Sequence, residues 1–144
     1  MAYKVVVGVD GSEHSDAALR WALADAGKHD GQVTALFVWQ VPFSSFPDLY
    51  DREALEKASK EFLIDRVSAV APSPSVPLLP LVAEGDVAEA LVIASQDADL
   101  LVLGTRGRSR LVGLLVGSVS LQCAAAARCP VVLIKKGLAT SSGP

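Results

Sequence analysis

The chain has 144 residues, of which 51% are hydrophobic and 20% charged, a composition that excludes a disordered chain and favours one compact domain. The formal net charge of 13 − 16 = −3 makes nucleic acid and anionic membranes poor partners. Two cysteines, Cys123 and Cys129, are too few for a disulfide framework. The sequence shows no signal-peptide pattern and no apolar run long enough to span a bilayer, so we expect a cytoplasmic protein.

Short apolar segments alternate with amphipathic ones along the first half of the chain. Residues 5–9 are almost continuously apolar and predict a strand that is buried on both faces. A helix is predicted next, with Ser12 as its N-cap. A second buried strand is predicted over 33–39, and a long helix from Asp48 to Ala71.

The second half of the chain continues the alternation. Residues 78–82 predict a third strand, and Pro80 places it at a sheet edge because proline cannot donate a ladder hydrogen bond. Asp86 and Glu89 have the spacing of a capping box at the start of a helix. The remaining predicted elements are a strand over 100–103, a helix over about 118–128 and a strand over 131–134.

The order βαβαβαβαβ predicts a single α/β domain over residues 1–137, with an open parallel sheet covered by helices on both faces. Residues 138–144 are small and polar, and we expect a disordered tail there. An edge position for the third strand fits the flavodoxin-like strand order 3-2-1-4-5. Ligands of such sheets bind where the order reverses, between strands one and four. Asp10 and Gly104 follow those two strands.

A glycine-rich connection of fourteen residues, from Gly104 to Gly117, precedes the last helix. Strand-to-helix loops usually have about two to six residues, so this length indicates function. Backbone amides at a helix start, together with the helix dipole, favour an anion such as phosphate. Arg106, Arg108 and Arg110 add positive charge to the same connection. The spacing matches neither a Walker A motif nor Gly-x-Gly-x-x-Gly.

Three sequence motifs resemble the universal stress protein family and its ATP-binding members. They are Gly104-x2-Gly107-x9-Gly117-Ser118, Val7-Gly8-Val9-Asp10-Gly11-Ser12 and Cys129-Pro130-Val131-Val132. The resemblance covers about residues 3 to 136. It implies the sheet predicted above in its adenine nucleotide alpha hydrolase-like form, binding of ATP or a related adenine nucleotide, and a homodimer.

Transferred residue by residue, the resemblance implies a role for each motif position. Asp10 would face the ribose, or a Mg²⁺ ion on the phosphates, and Val38 would offer backbone groups to the adenine. Gly104 and Gly107 would enclose ribose and phosphate. We add Arg108 as a phosphate ligand because of its charge and position. The phosphate oxygens would be held by Gly117, Ser118, Val119 and Ser120, with Ser118 also expected to cap the last helix.

Two side chains near this site have alternative interpretations. His14 lies close in sequence to Asp10 and Ser12, but chain neighbours at a helix start rarely form a catalytic triad, so we expect a solvated first-turn residue. Trp39 is either a core residue or a flank of the adenine.

The motifs favour a nucleotide-binding regulatory protein of the stress response, with little or no catalysis. The alternative is a slow ATPase or nucleotidyl-transfer enzyme in which Asp10 holds magnesium. A third possibility is an interaction module without a ligand, which the intact loop disfavours.

The last strand, 131–134, is predicted to form the edge opposite the third strand. It is apolar and unbroken by proline, and such an edge invites pairing with another chain. We therefore expect two copies to pair their last strands antiparallel around a two-fold axis. The sequence leaves open whether Val132 or Leu133 carries the outward-facing amide.

Overall fold

The computed structural model describes residues 2–41, 50–106 and 116–135, so the expected tail lies outside the described residues. Its strands are β1 (Lys4–Gly8), β2 (Gln32–Trp39), β3 (Leu78–Glu84), β4 (Leu100–Gly104) and β5 (Val131–Ile134). Its helices are α1 (Glu13–Lys28), α2 (Arg52–Val70), α3 (Val87–Ser95) and α4 (Ser118–Ala126). The strands form one parallel sheet in the order β3-β2-β1-β4-β5, which confirms the predicted fold.

Two apolar clusters cover the two faces of the sheet. Helices α1 and α2 bury one face, where Val5, Val7 and Leu63 belong to one cluster of buried residues. Helices α3 and α4 bury the other, around Val6 and Leu101. Side chains alternate between faces along a strand, so the continuous apolar run of β1 supplies both clusters.

Side-chain caps begin helices α1 and α3 as predicted. The Ser12 hydroxyl accepts a hydrogen bond from the Ser15 amide at 3.1 Å. The Asp86 carboxylate accepts one from the Glu89 amide at 2.9 Å. These short polar side chains satisfy amides that the first turn of a helix leaves without an intrahelical partner.

The predicted start of α2 at Asp48 is wrong. Asp51 adopts an extended conformation and its carboxylate accepts the Ala54 amide at 3.1 Å, so the helix begins at Arg52. An Asp in this position competes with helix continuation by capping it instead. Helix α4 also ends at Ala126, two residues before the expected end.

In the described part of the chain, no helix is both long and apolar enough to cross a membrane.

The hydrogen-bond register explains why Pro80 is tolerated in β3. Val33 donates its amide to the Pro77 carbonyl, and Gly85 donates to the Trp39 carbonyl, both at 2.9 Å. Odd-numbered residues of β3 therefore direct their backbone groups toward β2. Pro80 falls on the outward side, where the missing N–H removes no ladder bond and leaves the edge less able to pair.

The register also settles the orientation of β5, which forms the opposite edge. The Thr105 amide donates to the Ile134 carbonyl at 2.9 Å, so even-numbered residues of β5 face β4. The Val132 amide therefore belongs to the ladder inside the sheet. The Leu133 amide points outward, away from the sheet.

An ion pair joins α2 to the first turn of α1. Arg66 Nε lies 2.8 Å from Asp16 Oδ1, and a second contact joins Nη2 to Oδ2. The hydrogen bond with Asp16 raises the pKa of Arg66, and the nearby negative charge of Asp10 acts in the same direction. The guanidinium thus ties α2 to the first turn of α1.

Candidate functional site

A cavity of about 250 Å³ opens at the carboxyl ends of β1, β2 and β4, beside the starts of α3 and α4. It lies where the strand order reverses, which is where open α/β sheets bind ligands. Its described lining residues are Gly8, Val9, Asp10, Ser15, Leu36, Phe37, Val38, Val87, Leu91, Leu103, Gly104, Arg106, Gly117, Ser118, Val119 and Ser120.

The cavity brings together seven of the nine residues predicted for the site. Gly107 and Arg108 lie outside the described residues. Their suggested roles toward a ligand stay predictions. The seven that line the cavity are Asp10, Val38, Gly104, Gly117, Ser118, Val119 and Ser120.

Strand β2 extends past its neighbour and leaves backbone groups facing the cavity. Strand β1 ends at Gly8, opposite Leu36, and the Val9 amide makes a further hydrogen bond to the Leu36 carbonyl at 2.9 Å. Even-numbered residues of β2 face β1, so the amide and carbonyl of Val38 face the space beyond the end of β1. Among the described residues, no backbone partner occupies that side of Val38.

Apolar side chains form the wall of the cavity under this strand end. Leu36, Leu91 and Leu103 are each less than 5% exposed, and Val87 lies at the start of α3. An apolar wall next to open backbone donors and acceptors suits a flat heteroaromatic ring. Trp39 is buried at 8% exposure and is absent from the described lining, which favours its core interpretation.

A compact turn holds Asp10 at the end of β1. Its Oδ1 accepts the Ser12 amide at 2.9 Å, and its own amide donates to Ser15 Oγ at 3.2 Å. Ser15 also lines the cavity and was missed in the sequence analysis. Its position three residues after the N-cap of α1 is the signal that could have identified it.

The start of α4 supplies backbone N–H donors at the cavity. Gly117 is the N-cap, in an extended conformation with φ −76°, and Ser118 is the first helical residue, so the prediction that Ser118 caps the helix is wrong. The Gly117 amide donates to the Thr105 carbonyl at 2.6 Å. The first-turn amides without an intrahelical acceptor are then those of Ser118, Val119 and Ser120.

The two serines of this turn differ in what they can offer. The Ser120 hydroxyl is 4% exposed and donates to the Gly104 carbonyl at 2.8 Å. A hydroxyl has one proton, so in this arrangement Ser120 can donate to an anion only through its backbone. The side chain of Ser118 is exposed and carries the hydroxyl at the cavity mouth.

The packing around Gly104 leaves no room for a side chain. A Cβ at this position would lie 2.6 Å from His14 Cβ and 2.8 Å from the His14 carbonyl carbon. The first turn of α1 therefore packs directly against the end of β4.

His14 Nδ1 lies 3.4 Å from Thr105 Oγ1, while the Ser12 hydroxyl accepts a hydrogen bond from the Ser15 amide, so these residues form no Ser-His-Asp arrangement.

Neither cysteine is suited to be a nucleophile. Burial raises the pKa of the Cys123 thiol to about 11, and it also raises the pKa of Cys129. Both side chains are therefore protonated at neutral pH.

Within the described ranges, no group of three or more His, Cys, Asp or Glu could hold a metal ion. Asp10 could contribute a single ligand to a magnesium ion that arrives on phosphates.

Comparison with known proteins identifies the class to which this fold and cavity belong. The family model described as the universal stress protein family matches residues 1–135. The chain is 35% identical over 136 residues to a universal stress protein of Mycobacterium tuberculosis, Rv2623, covering 93% of this chain and 46% of that relative. The chain spans about half the length of the mycobacterial relatives that it matches. This chain belongs to the universal stress protein family.

Solved structures of the family have the same architecture. The universal stress protein UspA from Lactobacillus plantarum superposes with a TM-score of 0.78 at 26% identity, over 92% of this chain and 97% of that one. A universal stress protein crystallised in complex with cAMP superposes with a TM-score of 0.67 at 25% identity, over 94% of this chain and 98% of that one.

The packing around Gly104 and Gly117 predicts that an added methyl group destabilises the protein at the first position and has little effect at the second. Gly104→Ala should lower the free energy of unfolding by about 1–3 kcal/mol, because its Cβ would overlap His14. Gly117→Ala should change it by less than about 0.5 kcal/mol, because the nearest atom lies 3.6 Å from the new Cβ. Urea unfolding of the ligand-free proteins measures both values. Equal losses would contradict the packing described here.

Proposed function

We propose that this chain binds an adenine nucleotide, ATP or a related species, in the cavity at the ends of β1, β2 and β4. In this proposal it is a cytoplasmic regulatory protein of the stress response that couples nucleotide occupancy to its interactions, with little or no catalysis. The bound nucleotide is its cofactor, and Mg²⁺ would accompany the phosphates.

The order of the strands carries this proposal. Open backbone groups of Val38 lie at the end of β2, the Asp10 carboxylate follows β1, and the amides of α4 lie beside the end of β4. Two strand spacings are about 10 Å, which is comparable to the reach of a nucleotide from its base edge to its first phosphate. A base, a ribose and a phosphate would thus each meet the groups suited to it.

Electrostatics and one relative support the same assignment. The positive end of the α4 dipole and Arg106 both border the cavity, in a chain whose net charge is −3. These groups favour an anion at one end of an otherwise apolar site. A family member that superposes with this chain was crystallised with cAMP, which is also an adenine nucleotide.

Binding without rapid turnover is favoured by the ionisable groups at the cavity. Among its described lining residues these groups are Asp10 and Arg106. Hydrolysis of a nucleotide needs a group that orients or deprotonates water, and in this proposal the Asp10 carboxylate binds the ribose or a magnesium ion instead. A slow ATPase or nucleotidyl transferase is the competing function, and Asp10 beside the cavity is the feature that supports it.

Mass spectrometry of nucleotide released from freshly purified, denatured protein tests the proposal directly. We expect an adenine nucleotide, and calorimetry should show that Gly117→Ala combined with Ser118→Ala largely abolishes its binding. The double variant removes a hydroxyl and crowds the mouth of the cavity, while its urea-unfolding midpoint controls for folding. Full affinity in a folded double variant would refute the site, and phosphate release faster than about one per second would refute a binding function.

Arg108→Ala should weaken ATP binding about 10- to 100-fold and leave adenosine binding nearly unchanged, because a charge-assisted contact to phosphate is lost. Isothermal titration of both ligands measures the two ratios. Lys57→Ala, an exposed change on α2, is the control for loss of one positive charge. Equal weakening of ATP and adenosine by Arg108→Ala would instead indicate a structural role for this arginine.

We also propose that two copies pair through β5. The strand is the edge of the sheet opposite β3, and the Leu133 amide points outward from it. The other edge is weakened by Pro80, which leaves β5 as the better template for another strand. A two-fold axis would align two β5 strands antiparallel and cover both edges.

Leu133→Pro should convert a dimer to a monomer that remains folded, because it removes a donor from the outward side. Leu133→Ala keeps that donor and should remain dimeric. Val132→Pro should instead destabilise the fold, because its amide belongs to the β4–β5 ladder. Light scattering at micromolar concentration gives the masses, and a wild-type mass near 15.0 kDa would reject the dimer.

A further inference from the structure

We propose that Ser15 is a positioning residue that holds Asp10 in the orientation required to accept ribose hydroxyls. Through it the site would select nucleotides with an intact ribose over those that lack both hydroxyls. This inference rests on the proposed function, because it assumes that the cavity receives a nucleotide.

The polar groups of Ser15 are committed to the turn that carries Asp10. Its Oγ accepts the Asp10 amide at 3.2 Å and lies 3.2 Å from the Ser12 carbonyl, to which it donates its proton. Its amide donates to Ser12 Oγ at 3.1 Å. The side chain is 4% exposed and lines the cavity. Because the hydroxyl donates its one proton to the Ser12 carbonyl, it cannot also donate a hydrogen bond to a ligand.

This turn restrains Asp10 at two points and leaves one carboxylate oxygen available. Ser15 holds the backbone amide, and the Ser12 amide holds Oδ1 at 2.9 Å. Oδ2 has no hydrogen-bond partner among the residues that the structure describes. An ionised carboxylate is an acceptor for hydroxyl donors, so Oδ2 is the atom that a ribose can use.

Removing the Ser15 hydroxyl would leave the Asp10 amide without its acceptor in a half-buried place. The amide would then turn toward water, and the carboxylate would turn with it. Hydrogen bonds of this kind depend on fixed geometry, so a small rotation is enough to lose them. Contacts to the base and the phosphates would be unaffected.

The test compares the affinities of ATP and 2′,3′-dideoxy-ATP, whose bases and triphosphates are identical. The wild-type protein should prefer ATP about 10- to 100-fold, as expected for hydroxyls that bond to a carboxylate. Ser15→Ala should reduce this preference to about threefold or less, with dideoxy-ATP affinity unchanged. Ser15→Cys keeps the side-chain volume with a much weaker acceptor, and it provides the same measurement if the alanine variant folds poorly.

Ser12→Ala is the matched control. It removes the N-cap of α1, and with it a comparable share of local stability, but it retains the Ser12 amide bond to Asp10 Oδ1. Its preference for ATP should stay close to that of the wild-type protein. A parallel loss of preference in Ser12→Ala and Ser15→Ala would show that helix stability, and not positioning, controls the ratio and would overturn the inference.

A double-mutant cycle separates positioning from direct contact. Asp10→Asn should itself remove the preference, and adding Ser15→Ala should change it no further, because both changes act on one interaction. Additive losses would mean that Ser15 acts independently and would overturn the proposal. So would a wild-type protein that binds ATP and dideoxy-ATP equally, although nucleotide binding would then stand. Failure of the wild-type protein to bind any adenine nucleotide would refute the proposed function itself.

Discussion

The site depends on one constraint: the chain leaves β1 and β4 toward opposite faces of the sheet. After β1 the chain enters α1 on one face of the sheet, and after β4 it leads to α4 on the other. The two adjacent strand ends therefore have no backbone continuing between them. A cavity is the necessary result, and it is deepened because β2 runs on beyond the last residue of β1.

The strands and their order could be predicted closely from the sequence, because the signals for them lie within short segments. Continuous apolar runs indicate strands buried on both faces, and Pro80 identifies an edge strand through one missing donor. The caps at Ser12 and Asp86 are likewise short-range features that depend on the next three residues. The strand order places the ends of β1 and β4 side by side, which brings Asp10 and Gly104 to one cavity. The other five residues of the cavity that were named in advance came from the family resemblance.

What the sequence could not reveal depends on contacts between distant segments. Gly104 was attributed to the approach of a ligand, yet the space for its missing Cβ is filled by His14, ninety residues earlier. Similarly, the hydroxyl of Ser120 is used by the carbonyl of Gly104. Two details at helix starts were also wrong: α2 begins after its cap Asp51 and not at Asp48, and the cap of α4 is Gly117 and not Ser118.

Thr105 links the end of β4 to both β5 and the start of α4. Its amide bonds the last residue of β5, and its carbonyl accepts the Gly117 amide, which begins α4. The side chain is 6% exposed. One backbone hydrogen bond thus joins the end of β4 to the start of α4. The entropic cost of closing a loop grows slowly with its length, so a long connection between these two points costs little more than a short one. In the function proposed above, this hydrogen bond would fix the α4 amides that are proposed to hold the phosphate.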